Sequence, residues 1–176
     1  AGLEVPIWLL GSSLFSAQLA AMMGLPYAFA SHFAPDYLLE ALAQYRGGFR
    51  PSAQLQEPYA MVGVNVVTAD SDEEALRLFT STQVASVDMQ RGLREPMGPA
   101  IDDIEIYWTP DEKRAVEHKL SYSCVGSANT VRRGLTELIQ QTAADEVMTT
   151  VRIFEPDAGL RSLEILAQGR DDIASG

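Results

Sequence analysis

Apolar positions along this chain fall into short unbroken runs, and each run adjoins a longer stretch with helical spacing. The runs are 5–10 (Val5-Pro6-Ile7-Trp8-Leu9-Leu10), 25–30 (Leu25-Pro26-Tyr27-Ala28-Phe29-Ala30), 60–67 (Ala60 to Val67) and 147–154 (Val147 to Phe154). They lack a strict polar–apolar alternation, which is the pattern of a strand covered on both faces. Strands that alternate with helices imply right-handed crossovers and a parallel sheet. A closed barrel of this type needs eight such units. The pattern therefore predicts an α/β chain whose four parallel β/α units make half of a TIM-type (β/α)8 barrel.

Helix boundaries follow from local chemistry. Gly11-Ser12-Ser13 precedes a helix that reaches about Met23, where Gly24 is a suitable C-terminal stop. Pro35-Asp36 predicts the start of a second helix, with Leu38, Leu39, Leu42 and Tyr45 at helical spacing and Gly47-Gly48 as its end. Ser71 with Glu74 predicts a capping box, and Asp72, Glu73 and Glu74 suit the positive end of the helix dipole. Residues 92–119 break the rhythm, with Gly92, Pro96, Gly98, Pro99 and Pro110, and are expected to form an irregular insertion before the last unit. Such a segment is either a lid over a site or a surface excursion. Within it, Thr109-Pro110 predicts a helix N-cap followed by proline at the first helical position. Ser127 is expected to cap another helix reaching about Thr142, and a last helix occupies roughly 157–168. Residues 1–176 read as a single partial domain.

Composition narrows the class. Hydrophobic residues make up 47% and charged residues 21%, ordinary for a soluble globular protein. The net charge of −11 argues against nucleic acid or an anionic membrane as the main partner. No run approaches the length of a membrane-spanning helix, and there is no signal-peptide pattern. Cys124 is the only cysteine, which excludes an intrachain disulfide and fits a reducing, cytoplasmic setting. A lone thiol among apolar neighbours reads as a small buried hydrophobe. The chain opens at Ala1-Gly2 and meets its first strand within a few residues, so a piece of a longer protein is expected.

In parallel β/α architectures, chemistry collects after the C-terminal ends of the strands. After the first run, Gly11-Ser12-Ser13 opens a helix; small residues there direct N–H groups and hydroxyls at an anion such as phosphate. The same tripeptide is also an ordinary turn and cap. After the second run, Ser31-His32-Phe33 places a histidine where substrate or cofactor would be met, although most histidines in such places are structural. His118 lies in the insertion helix and reads as a surface residue. The two histidines lack metal-ligand spacing. A G-x-S-x-G elbow is absent, so a triad built from Ser12 and His32 is disfavoured.

At these residues the chain resembles the bacterial-luciferase-like flavin-dependent monooxygenases. The resemblance is carried by Pro6-Ile7-Trp8-Leu9-Leu10-Gly11-Ser12-Ser13 and by Ala20-Ala21-Met22-Met23-Gly24-Leu25-Pro26-Tyr27-Ala28-Phe29-Ala30-Ser31-His32-Phe33. Further matches are Asp70-Ser71-Asp72-Glu73-Glu74-Ala75 and Val125-Gly126-Ser127 ahead of Thr130-Val131-Arg132. It covers nearly the whole chain, but only the C-terminal half of the family's barrel. It implies a barrel that uses reduced flavin mononucleotide (FMN) and O2 to oxidise an organic substrate, with flavin supplied by a partner reductase. It also implies that Gly11, Ser12, Ser13 and the helix-borne Ser16 hold the flavin phosphate, and that Ser31 and His32 lie beside the flavin ring. The family's catalytic histidine belongs to the other half, so no residue here inherits a catalytic role. The alternative is a non-catalytic flavin-binding or assembly half-barrel.

A half-barrel alone leaves two unpaired strand edges and an open inner face, an aggregation hazard. The expectation is that the missing half, or a second copy in a homo-oligomer, covers them.

Overall fold

A computed structural model describes residues 5–169. The chain divides into two compact units. One comprises residues up to Val64 together with Ile139–Met148, and the other comprises Asn65–Leu138 and the residues from Thr149 onward.

The first unit carries β1 (Leu9–Gly11), α1 (Leu14–Met23), β2 (Tyr27–Phe29), α2 (Leu38–Gly48) and the opening half of β3 (Ala60–Ala69). Its pairings are parallel: Leu9 lies opposite Tyr27 and Gly11 opposite Phe29, while Tyr27 lies opposite Ala60 and Phe29 opposite Val62. All three ends of this ladder therefore point the same way, as the βα rhythm predicts. Helix α1 packs on α2, and the buried residues of the two helices are Ala17, Ala20 and Ala21 on one and Leu38, Ala41, Leu42 and Tyr45 on the other. Small side chains let the two backbones come close. Gly24 ends α1 in the left-handed region (φ 62°), where a side chain would be strained and would strike the Arg50 carbonyl. Helix α2 begins at Leu38, two residues later than Pro35-Asp36 suggested, and it ends at Gly48, as Gly47-Gly48 suggested. The chain turns only at Phe49, whose ring packs edge-on against Tyr45. The Tyr45 hydroxyl accepts from the Tyr59 N–H (3.0 Å) and donates to the Leu25 carbonyl (2.9 Å), tying α2 to the strand starts.

The second unit carries the rest of β3, α3 (Asp72–Gln90), a 3-10 turn (Ile104–Ile106), α4 (Pro110–Lys119), β4 (Ser123–Ser127), most of α5 (Ala128–Thr142) and α6 (Pro156–Gln168). Here β4 runs parallel to β3, with Asn65 opposite Ser123 and Ala69 opposite Ser127. Strand β4 was not expected. Its sequence, Ser-Cys-Val-Gly-Ser, is half polar and mostly half-buried, so it lacks the apolar run that marks the other strands. The last predicted strand forms as β5 (Glu146–Thr150), which pairs with β3 and stops short of residue 154.

Local signals in the second unit mostly hold. Ser71 caps α3, accepting from the Glu74 N–H, but Glu74 turns to make two hydrogen bonds with Arg77 (2.9 Å each), so a single arm of the predicted box forms. Thr109 and Glu112 form the full box at α4, with Pro110 in the first turn. The irregular segment is pinned to α3. The Thr80 hydroxyl accepts from the Ile101 N–H (2.8 Å), Tyr107 donates to Asp88 (2.7 Å), and Trp108 is buried with Leu78, Phe79, Val87, Val116 and Leu120. His118 is exposed, as expected.

Candidate functional site

The register of β1 on β2 sets Gly11 beside Phe29, and the Ala30 N–H donates to the Gly11 carbonyl (3.0 Å). The turn Gly11-Ser12-Ser13 and the turn Ser31-His32 therefore leave the same end of one parallel ladder. The first unit brings together all six residues singled out by the sequence at one edge.

Within that edge the hydroxyls have different occupations. Ser13 is the N-cap of α1 and forms a capping box with Ser16: Ser13 Oγ accepts from the Ser16 N–H (3.2 Å), and Ser16 Oγ accepts from the Ser13 N–H (3.3 Å). Ser16 Oγ in turn donates to the Ser13 carbonyl (2.7 Å) and lies 3.0 Å from the hydroxyl of Tyr27. A side chain at position 11 would put its Cβ 2.2 Å from Ser16 Oγ, so the glycine exists to admit that hydroxyl. Ser16 is thereby committed to the turn's own architecture. Ser12, half-buried, has no side-chain hydrogen bond among the described residues. The N–H groups of Leu14 and Phe15, in the first helical turn, have no acceptor within the helix. No acidic side chain occupies that turn. One hydroxyl and two amides at a helix N-terminus make a neutral cradle of three donors that suits an oxyanion.

Ser31 is fully buried, and its hydroxyl donates to the Gly63 carbonyl (2.6 Å). That bond makes its side chain a strut between β2 and β3. His32 is half-buried and edge-on to Phe33 (4.7 Å between ring centroids). A Cβ at Gly63 would lie 2.4 Å from His32 Nδ1, so Gly63 gives the imidazole its seat.

Two residues of this edge escaped the sequence reading. Gly63 carries a legible signal, since glycine within an apolar strand often marks a close approach. Tyr27 carries none, because it reads as one more apolar residue of a buried strand. Its ring is fully buried between Phe29 and Tyr45, and burial pushes its hydroxyl pKa above the ordinary value, with the Ser16 hydrogen bond opposing.

The second unit holds a separate polar knot at the β4–α5 turn. Asp72 Oδ1 accepts from the Ser127 N–H (2.6 Å), and Oδ2 accepts from the Thr130 hydroxyl (3.2 Å). These bonds, the backbone one foremost, hold the Asp72 carboxyl below its ordinary pKa. Ser127, expected as the helix cap, thus ends β4 and spends its N–H on Asp72. A cavity of about 180 Å3 in this unit is lined by Thr68, Asn129, Val131, Arg132 and Ile165, and it includes none of the six candidate flavin-binding residues. No metal-binding cluster of His, Cys, Asp or Glu occurs among the described residues. No helix among them is long and apolar enough to cross a membrane.

Comparison with known proteins assigns the family. The model of the luciferase-like monooxygenase family matches residues 1–146. A luciferase-like monooxygenase of Escherichia coli K12 is 48% identical over 172 residues, which are 98% of this chain and 51% of that protein. The crystal structure of apo-MsnO8 superposes with a TM-score of 0.85 at 32% identity, over 94% of this chain and 51% of that one. The oxygenating constituent of 3,6-diketocamphane monooxygenase from Pseudomonas putida, solved in complex with FMN, shares the fold at 18% identity and a TM-score of 0.57, over 93% of this chain and 47% of that one. The chain spans about half the length of the curated relatives it matches. Parallel strands joined by helices, together with half-length matches to such proteins, are those of a half-barrel of the luciferase-like TIM fold. This chain belongs to the luciferase-like monooxygenase family.

Proposed function

We propose that this chain is the C-terminal, phosphate-holding half of a flavin-dependent monooxygenase that oxidises an organic substrate with reduced FMN and O2. The observation that carries the reading is the three-donor turn at the start of α1. There Ser12 Oγ and the amides of Leu14 and Phe15 have no partner among the described residues, while Ser13 and Ser16 are locked into a capping box. A flavin phosphate matches those donors in charge and geometry. Bound FMN in its reduced form would supply the electrons for O2, one oxygen atom entering the substrate and the other leaving as water. Ser31 and Gly63 fix the strand ends, and His32 is seated on Gly63; His32 is the side chain proposed to meet the flavin ring. A separate reductase is proposed to deliver the reduced flavin, and the cytoplasm is the proposed setting.

Activity is proposed for the complete barrel. Strand β1 pairs only with β2 among the described residues, and Val5, Ile7, Leu10 and Phe15 are each more than 60% exposed. An open edge beside exposed apolar side chains calls for the preceding half-barrel or, failing that, a second copy. The chain alone is therefore expected to self-associate, and a folded, soluble monomer in a mass measurement at micromolar concentration would refute this.

Titration of the chain into FMN, followed by flavin fluorescence, tests the site. The expected result is saturable quenching that Ser12→Ala weakens. FMN quenching unaffected by Ser12→Ala would remove Ser12 from the site. Equal binding of riboflavin, which lacks the phosphate, would remove the phosphate from the recognition. Flavin binding without turnover after supply of the preceding half would favour a binding or assembly role over an enzyme.

A further inference from the structure

We infer that Tyr27 is a positioning residue of the anion-binding turn, acting through Ser16; the inference rests on the flavin-phosphate reading of that turn. Three observations carry it. The Tyr27 hydroxyl lies 3.0 Å from Ser16 Oγ and 3.4 Å from the Ser13 carbonyl, so one phenol touches both members of the capping box. Its ring is fully buried and wedged against Tyr45 (5.3 Å) and Phe29 (6.3 Å), which denies the phenol other rotamers. And Gly11 is hollowed out at the point where Ser16 Oγ enters the turn.

The hydrogen-bond count shows what the phenol does. Ser16 Oγ has one proton, given to the Ser13 carbonyl at 2.7 Å, and three groups can donate to its lone pairs: the Tyr27 hydroxyl, nearest at 3.0 Å, and the Ser13 N–H and Ser13 hydroxyl, each at 3.3 Å. With the phenol donating, Ser16 Oγ has both lone pairs satisfied and its single proton directed at Ser13. The hydroxyl is then held from rotating toward a ligand, and Ser13 is held as the N-cap. The amides of Leu14 and Phe15, one and two residues after that cap, are consequently fixed in direction before any anion arrives. Tyr27 thus reaches the phosphate without touching it, because preorganised donors lose less freedom on binding. A strand residue on the helix-facing side of the sheet sets the geometry of a turn at the sheet's end.

Tyr27→Phe keeps the ring and its packing and deletes only the hydroxyl. Two readouts separate positioning from bulk stability. The first is the ratio of FMN to riboflavin affinity. Wild type is expected to favour FMN, and the variant is expected to lose about tenfold for FMN, the effect of one hydrogen bond, with riboflavin affinity unchanged. The second, which needs no flavin, is amide hydrogen exchange at Ser13 and Ser16, expected to quicken in the variant while exchange in β3 stays constant. An unchanged affinity ratio with unchanged exchange overturns the inference, as does an equal loss for both flavins. A wild type that shows no preference for FMN overturns the phosphate reading itself; faster exchange in the variant would then still assign Tyr27 to the turn, and unchanged exchange would remove it.

Discussion

Replacing Gly11 by alanine is the sharpest test of how the turn is built. The new Cβ would lie 2.2 Å from Ser16 Oγ and 2.4 Å from Ser16 Cβ. Rotating the serine clears the oxygen but not its Cβ, which is fixed to the helix backbone, so the first turn of α1 must move. Overpacking of this kind costs about 1–3 kcal/mol. Displacing Ser16 also breaks its bonds to the Ser13 carbonyl (2.7 Å) and the Tyr27 hydroxyl (3.0 Å), the latter within a buried cluster, at roughly 1 kcal/mol each. These terms overlap, because one shift causes both, and the expected loss is about 2–4 kcal/mol. For a chain of this length that corresponds to a fall in Tm of roughly 5–15 °C. The assay is thermal and urea unfolding of wild type, Gly11→Ala, Ser16→Gly and the double variant. Ser16→Gly removes the obstructing Cβ, so adding Gly11→Ala to it should cost much less than Gly11→Ala does in wild type, a coupling of more than about 1 kcal/mol. Additive losses would show that position 11 does not act through Ser16, and an unchanged Tm for Gly11→Ala would refute the steric argument outright.

Other predictions concern the second unit. Gly126 has φ 149°, and a Cβ there would lie 2.6 Å from Thr130 Cγ2 and 2.7 Å from Asp72 Oδ1. Gly126→Ala should cost about 2–4 kcal/mol from strain and overpacking, and an unfolding midpoint equal to wild type would contradict it. The hydrogen bonds from Arg91 first, then from the Thr109 backbone, hold the Glu112 carboxyl at about 2, below its ordinary value of 4.5. A folded pKa below the unfolded one means the contribution is complete above pH 4.5 and is lost as pH falls toward 2. Glu112→Gln should therefore unfold with a shallower pH dependence across that window; parallel curves for the two proteins would remove the claim. Burial, with the Glu137 charge adding to it, pushes the Cys124 thiol up to about 11. At mildly alkaline pH it should react slowly with a chromogenic disulfide reagent and rapidly once guanidinium unfolds the chain, so fast labelling of the native protein would overturn this placement.

The four apolar runs were legible as strands, but only β2 and β3 are covered on both faces here; β1 and β5 leave Leu10 and Met148 exposed. They became β1, β2, β3 and β5, although the formal ladders of β1 and β2 are only three residues each. Strand β4 was illegible for the reason those were clear. It is stabilised by backbone pairing to the far half of β3 and by Asp72 holding the Ser127 N–H, neither of which leaves an apolar pattern. Caps at Ser71 and Thr109 were readable because they rest on neighbours within one helical turn. The end of α2 was readable in the same local way, since the helix stops at Gly48, whereas its start falls at Leu38 rather than at Asp36.

The candidate site shows the same division between local and distant causes. Sequence places three serines, 12, 13 and 16, at the start of one helix and gives no reason to rank them. Structure ranks them by asking which hydroxyl already has work. Ser13 and Ser16 satisfy each other, Ser16 is further held by a phenol eleven residues away, and Gly11 is the vacancy that admits it. A hydroxyl that must leave such a network to reach a ligand gives up bonds it already has, whereas Ser12 gives up none among the described residues. The same reasoning applies to Ser31, whose 2.6 Å bond to the Gly63 carbonyl is fully buried. Of four serines that resemble phosphate or flavin ligands by position, one has a free side chain and three hold the frame. Ser12→Ala should therefore weaken FMN binding without changing the unfolding midpoint, while Ser16→Ala and Ser31→Ala should lower the midpoint first. If Ser16→Ala left stability intact and abolished binding, the ranking would be reversed, and the capping box would have to open when the anion binds.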